Sequence, residues 1–84
     1  PVFISESVHV AGMPRIVGNN HLVASFKQSG TDKVFDSIGF NLGEHFDLIK
    51  DNHSELDIVF SLDKTIRDSR IFPQIKLKDI KVRT

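Results

Sequence analysis

The sequence contains no cysteine, tryptophan or tyrosine, has only three prolines, and shows no apolar run near the roughly 20 residues that span a bilayer. Without cysteine there is no disulfide framework and no thiolate zinc site, which agrees with a cytoplasmic location. Without tryptophan or tyrosine, the seven phenylalanines are the only rings available for stacking, so any base stacking is sparse. The lack of a long apolar run argues against a membrane role. The 84 residues suit one domain, 1–84, with a modest core, and are short for an independent enzyme with its own substrate cleft. Pro1 stands where an initiator methionine would, and no signal sequence follows, so the chain is expected to be an excised piece of a longer protein.

The net charge is zero but unevenly placed. Residues 1–63 carry nine acids and four bases, whereas residues 64–84 carry seven bases and two acids. Lys64, Arg67, Arg70, Lys76, Lys78, Lys81 and Arg83 offer a local positive surface to phosphates on a neutral domain. The same residues also fit a solvated strand edge on which lysines discourage edge-to-edge association.

The organising stretch is FDSIGFNLGEHFDLI at 35–49. Val34, Ile38 and Phe40 follow the strand period of two, and Leu42, Phe46 and Ile49 follow one face of a helix. The period changes at Asn41, which is placed to cap the helix, with Glu44 three residues on as the acid of a capping box. Before this hub, Pro1 to Ser5 reads as a lead-in to a strand that starts near Ser7. Gly12 and Pro14 predict a bend or bulge in that strand, so that it serves two sheets. Gly18-Asn19-Asn20 is a turn signal leading to a second strand in which Leu22, Ala24 and Phe26 alternate with Val23, Ser25 and Lys27. A turn at Ser29 to Asp32 returns the chain along Lys33 to Phe40. There Asp36 shares the parity of Val34 and Ile38, which requires either a bulge or a partner for its carboxylate.

After the helix, Lys50 to Glu55 reads as a polar loop, and Leu56, Ile58, Phe60 and Leu62 alternate as a fourth strand. Asp63 to Ser69 has no apolar period and reads as a surface loop. In the last strand Ile71, Pro73, Ile75 and Leu77 share one face, but Ile80 and Val82 have the opposite parity, which predicts a bulge near Asp79. Pro73 places its part of that strand at an edge or opening. Three meandering strands, a short helix and two more strands make a mainly β chain, a five-stranded OB-fold barrel with the helix between strands three and four.

Chemical motifs are scarce. His9, His21, His45 and His53 fall on different elements without paired-ligand spacing, and the glycines form no phosphate-binding fingerprint. Asp36, Glu44, Asp47, Asp51, Glu55 and Asp57 fall mostly where solvated acids are ordinary. The better match is to single-strand binding, in which cations track the backbone and rings stack bases. Lys27, Lys64, Arg67, Arg70, Lys76 and Lys78 are the candidate phosphate contacts, with Arg15 and Asn19 as further loop candidates. Phe72 is the candidate stacking ring if its face points outward and a core residue if the parity is inverted. Phe3, Phe26, Phe35, Phe40, Phe46 and Phe60 read as core or core-adjacent.

Taken together, RIVGNNHL at 15–22, FDSIGFNLGE at 35–44, LDIVFSL at 56–62 and IKLKDIK at 75–81 resemble the OB domain of the bacterial exonuclease RecJ. The resemblance covers most of the chain. It implies a C-terminal module that follows the catalytic DHH and DHHA1 domains and holds single-stranded DNA for a 5′-to-3′ exonuclease of DNA repair and recombination. The parent enzyme would use Mn or Mg. No Asp-His-His motif stands in these residues, so the chain itself is expected to carry no catalysis, metal or other cofactor. The family often shows a Trp and a Gly in the loop before the last strand, where this chain has Thr65, Ile66, Arg67, Asp68 and Ser69. That departure implies either less stacking, with the arginines compensating, or a module that packs against the catalytic domains or a repair partner without touching DNA.

Overall fold

The computed structural model describes residues 1–50 and 55–83. Five strands, β1 (Phe3–Val17), β2 (His21–Gln28), β3 (Val34–Gly39), β4 (Leu56–Arg67) and β5 (Arg70–Val82), close into a barrel in the order β1-β2-β3-β5-β4. A 3₁₀ turn at Gly43–His45 runs into a short helix, α1 (Phe46–Ile49), between β3 and β4. This is the expected OB-type architecture. Its closure rests on the one parallel contact, β3 with β5, where Ser37 pairs with Ile75 and Ile38 with Lys76.

Alternation builds the core. Leu22, Ala24 and Phe26 of β2 meet Leu56 and Ile58 of β4 and Leu77 and Ile80 of β5, with Val8 of β1 and Ile49 of α1 completing the buried cluster. Each of the larger side chains contributes about 1.5–3 kcal/mol by leaving water. Leu42 and Phe46 pack against this cluster, so the helix face read from the sequence is the one that plugs the barrel.

The long strands bend at the expected places. The β1–β2 register shifts between Ala11 and Arg15, with Gly12 at φ +74°, and β1 also pairs with β4. In β5 the pairs Val59–Asp79 and Phe60–Leu77 leave Lys78 as the extra residue, which lets Leu77 and Ile80 both point inward. A further irregularity lies at Ser7, φ +58°, whose N–H donates to Asp57 Oδ1 at 3.1 Å. Arg83 closes the same corner by donating to Glu6 at 2.8 Å and to Asp57 at 3.0 Å. The Ser7 amide and then Arg83 hold the Asp57 carboxyl below its ordinary range.

Several expectations are corrected. The lead-in is strand: β1 starts at Phe3, because Phe3 and Ile4 find Phe60 and Val59 as partners and the Phe3 and Phe60 rings stack at 5.7 Å. The loop expected at Asp63–Ser69 is mostly strand. β4 continues to Arg67, and Asp68 and Ser69, at φ +51° and +65°, form the tight turn to Arg70. Cross-strand pairing alone sustains this extension, so no apolar period marked it. Asn41 is not the helix cap. It takes φ +60° and donates its backbone N–H to His21 Nδ1, while Leu42 occupies the cap position without a side-chain bond and Glu44 closes no capping box. The expected loop at 50–55 falls largely outside the described residues, as do Asp51 and His53.

On β3 the inward face is Phe35, Ser37 and Gly39, and the outward face is Val34, Asp36, Ile38 and Phe40. Ser37 is buried and donates to the Ala24 carbonyl at 2.8 Å. A Cβ on Gly39 would lie 2.7 Å from Leu42 Cδ1, so small inner residues make the room that Leu42 fills. The pairing with β2 runs without a bulge, and Asp36 finds its partner in Ser25 Oγ at 2.6 Å. Phe40 is therefore not a core residue but 50% exposed, and Phe3 is also exposed, at the rim against Phe60.

Candidate nucleic-acid interface

Strand register places Arg15, Val23, Ile38 and Lys76 in one row across the outer faces of β1, β2, β3 and β5. One pair beyond this row, after Ser37–Ile75, β5 leaves β3, and residues 63–67 and 70–74 continue as an antiparallel ribbon that we call the arm. Pro73 lies on the arm opposite Lys64, beyond the contact with β3, as a residue lacking a ladder N–H requires. Beside the arm lies a cleft of about 850 Å³ whose lining includes Met13, Arg15, Asp36, Arg67 and Phe72 together with the inward-facing Phe35 and Ser37 of β3.

Phe72 points outward, with 38% of its surface exposed. The Arg67 guanidinium carbon stands 5.3 Å from its ring centroid, within cation–π range. Arg67 and Arg70 are direct cross-strand partners at the arm's end. Like charges so placed repel each other, and an anion bound there would relieve that repulsion. The candidate set thus converges in part: Arg15, Arg67 and Phe72 line the cleft, and Arg70 pairs with Arg67 across the end of the arm.

The other candidates differ in what they offer. Lys76 lies on the same face, but its Nζ is 2.7 Å from Asp63 Oδ2 and its charge is largely compensated. This bond, followed by the Lys64 amide, holds the Asp63 carboxyl below its ordinary range. Lys27 is a half-buried outer-face residue paired with His9 and Val34. Alternation puts Lys64 on the arm's opposite face, with Ile66. Lys78 is exposed at the β5 bulge, and Asn19 is exposed in the turn between β1 and β2, where the neighbouring Asn20 carbonyl accepts from Gly43 N–H at 3.1 Å. Lys27, Lys64, Arg70, Lys76, Lys78 and Asn19 are not among the residues lining the cleft.

Sequence reasoning missed Met13, Phe40 and His21. Asp36 was the available signal: an unbulged strand with a carboxylate at one parity shows that parity to water, which turns Phe40 outward. Among the described residues, no group of three or more His, Asp or Glu is placed to hold a metal ion, and no helix is long and apolar enough to cross a membrane.

Residues 1–79 match the RecJ OB domain family. The chain belongs to that family. No curated protein and no solved structure shows significant similarity to it. A RecJ OB domain is a non-catalytic module. The barrel order, the helix between β3 and β4 and the cleft described above are thus the parts of this RecJ OB domain that bear on its role.

Proposed function

We propose that this RecJ OB domain holds single-stranded DNA, without sequence preference, for a RecJ-type 5′-to-3′ exonuclease of repair and recombination. The catalytic DHH and DHHA1 domains and their Mn or Mg would belong to the rest of a cytoplasmic parent chain in which residues 1–84 form one C-terminal domain. The observation that carries this reading is the Arg67–Phe72 pair beside Arg15 in one open cleft, a ring for a base with cations for the flanking phosphates. Arg70, Lys27 and Lys76 extend the positive track, with Lys76 available once Asp63 is displaced or neutralised. Lys64, Lys78 and Asn19 make at most peripheral contacts.

The test is titration of the 84-residue chain with a fluorescent single-stranded oligonucleotide and with the matching duplex, at low and moderate salt. Preference for the single strand, weakening steeply with salt, is expected. Absence of binding at low salt by the folded chain would overturn it.

A second reading is favoured by a separate observation. Ile66 and Ile71, cross-strand partners on the arm, are 72% and 65% exposed. An apolar surface of this kind suits packing against the catalytic part of the parent chain or a repair partner. The Ile66–Ile71 pair is not among the residues lining the cleft, and the two readings are compatible.

A further inference from the structure

We infer that Phe40 is a second base-stacking position, at the far end of the outer face from Phe72. This rests on the reading of the domain as a single-strand binder and adds a site that the sequence placed in the core.

The ring is exposed and held in place. Phe40 follows β3 and shows half of its surface to solvent. His21 braces it, the two rings meeting edge to face at 5.2 Å with planes 72° apart. His21 is itself fixed, because its Nδ1 accepts the Asn41 N–H at 3.1 Å. The left-handed Asn41 therefore serves the surface: it turns the chain into the helix and locks the imidazole that steadies the ring. A ring so braced loses little freedom when a flat partner settles on it.

A cation accompanies the ring. Lys76 Nζ stands 5.9 Å from the Phe40 centroid, so each of the two outward rings, Phe40 and Phe72, has one basic side chain within cation–π range. Ile38 pairs with Lys76 in the parallel β3–β5 contact, which puts Phe40 about six residue steps beyond the level of Phe72. At about 3.3 Å per step, the rings are roughly 20 Å apart along the strands, a span of about six nucleotides at the stacked rise of about 3.4 Å. Arg15 and Lys76 share a row that crosses the face between them. The ligand is thus a single strand long enough to rest one base on each ring.

The chain's lack of tryptophan and tyrosine makes the test direct. Phe40→Trp and Phe72→Trp each introduce a sole indole emitter. Each would be titrated with a thymidine oligonucleotide long enough to span both rings, with affinity read separately by anisotropy of a labelled strand. The indole at 40 is expected to be quenched on saturation. Phe40→Leu, which keeps apolar bulk without a π face, is expected to lose about five- to hundredfold in affinity with its melting temperature and salt slope unchanged. Salt-sensitive binding with no quenching at 40, and with Phe40→Leu binding as the parent does, would overturn this inference and leave the DNA-holding role standing. No binding of any single strand at low salt by the folded parent would overturn both.

Discussion

The barrel and the arm are built from the same β4 and β5, yet they obey different physics. In the barrel, Leu56, Ile58, Leu77 and Ile80 alternate toward a closed interior and are buried. In the arm, the cross-strand pair Ile66 and Ile71 turns to the same side of the ladder as that core, but no third strand receives it, and both residues stay exposed. Alternation yields a core only where the sheet closes. Where it does not, the apolar face remains available to a partner and the other face to a ligand. A two-stranded ribbon alone is marginal in water, so the arm depends on its cross-strand pairs and on the barrel that anchors it.

The largest contrast is expected in stability. Phe26→Ala should cost about 3–5 kcal/mol, since the ring is fully buried at the centre of the barrel. Ile71→Ala should stay within about 0.5 kcal/mol. Chemical denaturation of both variants checks the pair, and a large loss from Ile71→Ala would show that the arm is covered in solution. Native-state hydrogen exchange sharpens the same point: arm amides should exchange well before those of the barrel ladder.

The next effect concerns ligand. Replacing Arg67 and Arg70 together by alanine should lower single-strand affinity by about tenfold at low salt and flatten the salt dependence by about 0.7 for each phosphate that is no longer neutralised. Melting should be unchanged or slightly improved, because two repelling cations are removed. Binding equal to that of the parent would move the interface off the arm.

A smaller effect of opposite sign is expected from Asp63→Asn. It releases Lys76 from its 2.7 Å partner and removes an anion from the outer face, so affinity should rise a few-fold in the same anisotropy titration.

Acid separates the two regions last. The folded-state pKa of Asp57 lies below its unfolded value, so the corner formed with Ser7 and Arg83 stabilises the fold above about pH 3.9 and is lost as the pH falls below that. Arg83→Ala should melt earlier at neutral pH and lose less on acidification. Asp63 is shifted in the same direction, but on the arm, so Asp63→Asn should leave the barrel's melting near the parent curve. Thermal melts across pH 3 to 6 distinguish the two.

These regions also mark how far the sequence could be read. In the barrel, the β2 alternation of Leu22, Ala24 and Phe26, the helix face of Leu42, Phe46 and Ile49, and the bulge beside Asp79 were all legible, because each is a period or a break in a period within a few residues. The β4 half of the arm was read as a loop because the stretch 63–69 carries no such period, whereas its β5 half was read as strand. Within the candidate site, the grouping of cations near Phe72 was visible in order along the chain. The compensation of Lys76 by Asp63, the turning of Lys64 to the opposite face and the exposure of Phe40 were not.

By itself the sequence determined the element order, the change from strand to helix at Asn41, the bends at Gly12 and Asp79, and hence an OB barrel of the RecJ type, since local spacing dictates which side chains share a face. Only the tertiary structure decided which face of β3 turns inward, that Asp63 to Arg67 is strand, and that Arg67 meets Phe72 and Lys76 meets Phe40. Those outcomes depend on register between strands distant in sequence, and a single strand's alternation reads equally well from either side until its partners choose one.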